Sequence, residues 1–293
     1  MKGIRIFKMN QSLVYSWKEA ISHLSIDERF QQATKYITPT EHLHGLTIQR
    51  LWALLDEAWD ELQENNQKQH NKFDLPEFLH HYYQHPVWLI NAVFSESDPA
   101  TIQDRLAAVR LISHVQPHKI LDFGGGIGTV ARLCAHEIPA VESIDLVDIT
   151  EFRHTIRQYL TQYPVIRVLE KPEPLYDAIV CTEVLEHLID PIAAIVEINR
   201  MLRVGGAFAT SYSFEPVIKC HLPQNFHLRK MMFWIIRSLG FGFYGFERRG
   251  STVYGFIKQS EVTADKLKLA RFLESISRLP LPIDRILLLL RGL

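Results

Sequence analysis

A chain of 293 residues that is 47% hydrophobic and 11% aromatic is long enough for one large core with an appendage and too apolar to stay disordered. Its 32 Lys and Arg against 33 Asp and Glu exclude a whole-chain positive field for nucleic acid. The three cysteines, Cys134, Cys181 and Cys220, are odd in number and lack metal-ligand spacing, which excludes a disulfide framework and suits a cytoplasmic protein.

Residues 1–17 lack the continuous apolar run of a secretory signal, and the longest apolar stretch, 286–290, is far too short to span a bilayer. From Ser16 to Pro117 the chain reads as helices. Trp52, Leu55, Trp59 and Leu62 form one stripe, read as core, a dimer contact or a lid. The aromatic stretches 73–83 and 87–94, broken by Pro76 and Pro86, read as short helices with bends, and Asp98-Pro99 opens a further helix. After Pro117 short β-rich runs alternate with helical ones, the pattern of a mainly parallel sheet. Strands are expected at 119–123, 143–148, 165–169, 178–182 and 207–211. A helix at 228–239 then precedes two strands, 241–248 and 252–258, joined at Arg249-Gly250 as a hairpin, so one of them runs antiparallel to the rest. A charged helix at 264–278 and an apolar stripe at 286–290 close the chain. The organisation expected is a helical cap, lid or oligomerisation region at 1–116, a nucleoside-binding domain at 117–260 and a helical tail at 261–293.

Gly124, Gly125, Gly126 and Gly128 follow a strand and precede a helix, where a glycine-rich turn lets backbone approach a ligand closely. Asp148 ends the second strand, placed to accept hydrogen bonds from two ribose hydroxyls. The dinucleotide pattern G-x-G-x-x-G fails, because its third glycine position is Thr129. Asp122 at the strand end would also repel a pyrophosphate, whereas a ligand with an amino group or sulfonium suits it. That charge argument selects S-adenosylmethionine (SAM) over NAD.

The run Asp122, Gly124, Gly126, Gly128 resembles the first motif of the class I SAM-dependent methyltransferases. Residues 176–188 are similar to that family's fourth-strand signature, and Leu202-Arg203-Val204-Gly205-Gly206 to its turn into strand five. The resemblance implies a doubly wound, Rossmann-like α/β fold of seven strands in the order 3-2-1-4-5-7-6, here with an N-terminal helical extension. It implies SAM as cofactor and S-adenosylhomocysteine (SAH) as product, with Asp122 and the glycine loop at the methionine end and Asp148 at the ribose. Ile149 would flank adenine, Glu170 would stand near the adenine-contacting acid, and Thr182 and Glu183 would line the floor. The activity so implied is methyl transfer to an oxygen or nitrogen of a small-molecule acceptor, with no nucleic acid and no membrane span. The N-terminal helices are a candidate homodimer contact.

Glu183, Glu186 and His187 stand at i, i+3 and i+4, and on a helix they would share one face beside the methyl donor. Three roles stay open. His187 is a general base, with Glu186 and His221 as further catalytic candidates; or Glu183, Glu186 and His187 join His221 or His227 around a divalent metal; or Glu186 and His187 orient the loop. The metal arrangement resembles the Glu-x-x-Glu-His motif of small-RNA 2′-O-methyltransferases, which makes a metal-dependent RNA enzyme one alternative. An NAD-binding oxidoreductase and a non-catalytic SAM-binding protein are the others. The segment 212–227, with Phe214, Cys220, His221 and His227, is expected to line the substrate.

Overall fold

In the computed structural model, residues 14–25, 28–69, 74–149, 152–248 and 251–279 are described. Local chemistry sets the helix starts of the N-terminal layer. Ser16 and Glu19 form a capping box at α1 (Trp17–Leu24), and Thr38 and Glu41 form another, with Pro39 in the first turn, at α3 (Pro39–His44). Between these lies α2 (Glu28–Ala33), and beyond them the long α4 (Ile48–Gln69). Asp74 caps α5 (Leu75–Tyr83), which α6 (Val87–Ser97) follows. Asp98 accepts the Thr101 N–H and Pro99 occupies the first turn of α7 (Pro99–Ser113), as the Asp-Pro pair predicts.

The sheet has the expected order β3-β2-β1-β4-β5-β7-β6. Its strands are β1 (Lys119–Phe123), β2 (Ser143–Val147), β3 (Ile166–Leu169), β4 (Tyr176–Thr182), β5 (Leu202–Ser211), β6 (Phe241–Arg248) and β7 (Thr252–Lys258). β7 pairs antiparallel with both β5 and β6, while β1 to β5 pair in parallel. β4 and β5 start earlier than the apolar runs suggest, because Tyr176 pairs with Leu202 ahead of a register shift. The 228–239 segment is not one helix. A 3-10 helix at Pro223–Lys230 is followed by α11 (Met232–Ser238), with Leu228, Met231 and Met232 buried across the junction. The apolar stripe at 286–290 lies outside the described residues.

The strand period of two divides the core. Ile120, Ala178 and Val180 face α7 and α8 (Thr129–Glu137), while Leu121, Ile179 and Cys181 face α10 (Pro191–Met201), α11 and α12 (Ala264–Ser277). α9 (Arg153–Tyr159) lies over β3. α7 packs on β4, β5, β6 and β7, directly against the sheet. The earlier helices sit above it and are tied down by a buried ion pair, Arg132 Nη2 of α8 to Glu96 Oε2 of α6 at 2.6 Å, each side chain 1% exposed. Arg132 also stacks on the Tyr15 ring, 4.7 Å from its centroid. Among the described residues no helix is long and apolar enough to cross a membrane.

Candidate functional site

The glycine loop leaves the carboxyl end of β1, the edge at which open α/β sheets receive ligands. Gly124 N–H donates to Val147 O at 2.8 Å and Gly126 N–H to Asp148 Oδ2 at 2.8 Å, so the loop is stitched to the end of β2. Asp122 is 2% exposed and accepts the Ala131 N–H at 3.0 Å. Its carboxyl lies under Gly125, where an added Cβ would come within 2.6 Å of it. Burial raises the Asp122 pKa to about 7, against the backbone bond from Ala131 and the positive charge of Arg105, and Asp148 adds to the rise.

A cavity of about 830 Å³ opens over this loop. Asp122, Gly124, Gly125, Gly126, Asp148, Ile149, Glu170, Thr182 and Glu183 all line it, as does His187. No atom lies within 4 Å of the position a Cβ on Gly126 would take, so the loop backbone borders open space there. Gly128 does not line the cavity. It is needed for packing, since at φ 92° its Cβ would sit 2.7 Å from Leu160 Cδ1 and 2.8 Å from Leu146 Cδ1. Glu170 is exposed at the rim and lies 3.6 Å from Arg153.

The Glu183–His187 segment is not a helical face. Glu183 takes φ 55° just past β4, and a 3-10 turn, Leu185–His187, carries the rest. A left-handed non-glycine residue at a strand end stores strain of the kind that collects at functional sites. Glu183 Oε1 accepts the Ser211 hydroxyl at 2.6 Å. Glu186 is wholly buried; its Oε1 accepts the Ser213 N–H at 3.0 Å and its Oε2 has no hydrogen-bond partner. Burial, with the Glu183 charge beside it, holds the Glu186 pKa well above the usual carboxylate range.

His187 Nδ1 meets Cys220 O at 3.1 Å and His221 Nδ1 meets Glu215 O at 2.8 Å. A carbonyl only accepts, so both rings carry their proton on Nδ1 and leave the Nε2 lone pair available. The two rings stand edge to face, 4.9 Å between centroids. Burial and then the His221 charge lower the His187 pKa to about 3. Glu186, His187 and His221 each offer a ligand atom within 4.8 Å of the others. Neither Glu183 nor His227 belongs to that set: Glu183 turns to Ser211, and His227 lies near Arg278 and Glu274 with its Nε2 buried and unpartnered.

A methyltransferase-domain family model matches residues 94–239, about half of the chain, over the strands and loops just described. The chain belongs to the class I SAM-dependent methyltransferase superfamily. Across 99 residues it is 28% identical to the ubiquinone biosynthesis O-methyltransferase of Alkalilimnicola ehrlichii, a match covering 31% of this chain and 40% of that relative's length. Human N-acetylserotonin methyltransferase in complex with SAM shares the fold at a TM-score of 0.50 and 17% identity, covering 78% of this chain and 70% of that one. An O-methyltransferase family protein from Burkholderia thailandensis aligns with TM-score 0.50 and 13% identity over 76% of this chain and 77% of its own.

Two features of this methyltransferase escape sequence reasoning. Arg105 of α7 lines the cavity beside Asp122, although nothing in its surroundings in the chain marks it. The far wall comes from Pro76, Leu79, His80 and Tyr83 of α5 and from Trp88, Asn91 and Ser95 of α6, whereas no residue of 212–227 lines this cavity. That segment stands behind His187 and orients it through Cys220 O. The aromatic stretches were visible in the sequence, but only their packing reveals a wall. The Trp52–Leu62 stripe is buttress: the Trp59 ring lies 4.6 Å from Phe78 and 5.1 Å from Tyr82, holding α5 from behind.

Proposed function

We propose that this methyltransferase binds SAM along the glycine-loop side of the cavity and directs its methyl group to a hydroxyl oxygen of a small molecule held beneath α5 and α6. The supporting observation is the continuity of one cavity from Asp148, past the glycine loop, to His187 and the cap helices. The name of the O-methyltransferase relative favours oxygen over nitrogen. SAM supplies the electrophilic methyl carbon, whose bond to sulfur breaks as the bond to oxygen forms, leaving SAH.

The chain's own residues divide the remaining work. Arg105 pairs with the methionyl carboxylate and Asp122 balances the ammonium and sulfonium charge. Asp148 accepts the ribose hydroxyls, Ile149 and the Glu170 rim flank adenine, and Thr182 and Glu183 form the floor. Holding acceptor and donor in line is the main contribution, and such alignment is worth about 7–11 kcal/mol of barrier. With its pKa lowered to about 3, His187 is too weak a base for the neutral hydroxyl, but its Nε2 takes the proton once the new bond to the methyl carbon makes that oxygen cationic, with Glu186 and His221 beside the ring. Calorimetric titration with SAH, SAM and NAD tests the cofactor half: SAH binds and NAD does not, and the reverse pattern would make the chain an oxidoreductase. Tritium transfer from methyl-labelled SAM to phenols tests the reaction, and label found on amines alone would move it to nitrogen.

A second reading assigns Glu186, His187 and His221 to a divalent cation. The unpartnered Glu186 Oε2 favours it, together with two imidazoles whose Nδ1–H groups are held by carbonyls, the usual outer support of metal-ligating histidines. Two neutral imidazoles and a carboxylate suit such an ion. It would polarise the acceptor hydroxyl in place of a base.

A further inference from the structure

The acceptor's chemistry is written in the end of the cavity that the cofactor residues leave free. Past His187 the lining is mainly apolar, with Pro76, Leu79, Tyr83, Trp88, Leu188 and Ile189, and it carries one imidazole, His80, and one carboxylate, Asp190. No lysine is among the described residues that line the cavity, and its two arginines stand elsewhere, Arg105 beside Asp122 and Arg153 near Glu170. On the inner side this end is bordered by Glu183, with the buried Glu186 behind it. An acceptor carrying a carboxylate or phosphate would lose its water there, find no lysine or arginine and only the His80 imidazole, and stand beside the Glu183 and Asp190 carboxylates.

The wall is also rigid and ring-lined. Tyr83 and Trp88 meet at 5.0 Å between centroids, inclined at 42°. Trp88 Nε1 donates to Tyr82 O at 2.9 Å, which holds the indole, and the buried Tyr82 hydroxyl donates to Leu55 O of α4 at 3.1 Å, which holds the turn of α5 that carries Tyr83. A preformed pair of aromatic faces favours a flat apolar ligand, because little ordering remains to be done on binding.

We propose that Pro76, Leu79, Tyr83, Trp88, Leu188 and Ile189 form the acceptor subsite, that it takes an uncharged hydroxyl compound built on an aromatic ring, and that it rejects anionic acceptors of the same shape. The inference rests on the SAM-dependent reading above. Tyr83 and Trp88 are its specificity-determining residues, and neither side chain hydrogen-bonds to a group that holds the cofactor in that reading: Trp88 Nε1 donates to Tyr82 O, and the Tyr83 hydroxyl has no hydrogen-bond partner.

The test is calorimetric binding of 2-naphthol and of 6-hydroxy-2-naphthoate to the SAH-loaded full chain. The neutral ring binds at least about thirtyfold more tightly than the anion. Tyr83→Leu and Trp88→Leu each weaken 2-naphthol by about tenfold or more while SAH affinity stays at the wild-type value, and Tyr83→Phe and Trp88→Phe restore most of it. Equal affinity for the two naphthalenes, no binding of 2-naphthol to the SAH complex, or leucine variants that bind 2-naphthol as wild type each overturn the inference while the cofactor reading stands. Failure of SAH to bind overturns both. Should a leucine variant not fold, the wild-type comparison of neutral and anionic rings still decides.

Discussion

The backbone N–H of Lys219 donates to Asp56 Oδ1 at 2.7 Å, across 163 positions of sequence. The Lys219 ammonium reaches Asp60 one turn further along α4, at 2.5 Å. Lys219 precedes Cys220, whose carbonyl orients His187, and His221, which packs on it. Helix α4 therefore holds the segment that aims the imidazoles. Asp56→Ala frees that segment and lowers turnover by about tenfold or more, with SAM affinity unchanged. Asp56→Asn keeps an acceptor oxygen and most of the rate. Asp60→Asn removes an exposed pair and changes stability by about 1 kcal/mol or less. Steady-state kinetics beside SAH titration separates these outcomes, and equal rates for Asp56→Ala and wild type would show that α4 does not position the histidines.

Asp122 gives the cofactor site a pH dependence of predictable sign. Its pKa of about 7 lies above that of the unfolded chain, about 3.9. Between those values the folded, ligand-free protein binds the extra proton, so the stability Asp122 contributes is full below about pH 4 and is lost as pH rises through about 7. A cationic ligand favours the ionised form, so SAM affinity tightens by about tenfold from pH 6 to pH 8. SAH, lacking the sulfonium charge, follows more weakly, and Asp122→Asn flattens both curves. Calorimetry at three pH values checks this, and a SAM affinity that weakens with rising pH would contradict it.

Arg105→Met removes the guanidinium beside Asp122 and weakens SAM and SAH alike, by about 10- to 100-fold, as expected for losing a hydrogen bond to a charged group. Adenosine, which lacks the amino-acid end, binds the variant as well as it binds wild type. Equal losses for all three ligands would place the damage in folding and not in carboxylate recognition.

Dialysis against a chelator separates the two roles of the Glu186, His187 and His221 group. In the base reading turnover is untouched by chelation and falls about 10²- to 10⁴-fold in His187→Ala. In the cation reading chelation abolishes turnover, a divalent ion restores it, and Glu186→Gln or His221→Ala weakens ion binding measured directly.

Two kinds of information separate at this site. The strands follow from apolar runs that end at glycine, proline and acidic residues, which is why β1, β6 and β7 fall where their sequences place them and why Asp122 and Asp148 finish at one edge of the sheet. Whether Glu183, Glu186 and His187 share a helix face is not legible in the sequence, because the spacing i, i+3, i+4 is met equally by a left-handed residue followed by one 3-10 turn. Nothing local distinguishes the two. His227 was as good a partner as His221 in sequence, and only the hydrogen bonds of residues 213–222 to Glu186 and His187 bring His221 alongside.

What the sequence settled by itself is the strands, with their order following from the family resemblance, and the placing of the glycine loop and Asp148 at the edge where we propose the nucleoside binds. Those rest on strand periodicity and on backbone demands met within a few residues, such as Gly125 above the Asp122 carboxyl. What tertiary structure alone decided is the meeting of Arg105 with Asp122, the Tyr83 and Trp88 wall, and the clasp from Asp56 to Lys219. These are meetings of elements far apart in the chain, and side chains brought together by packing leave no spacing in the sequence from which to read them.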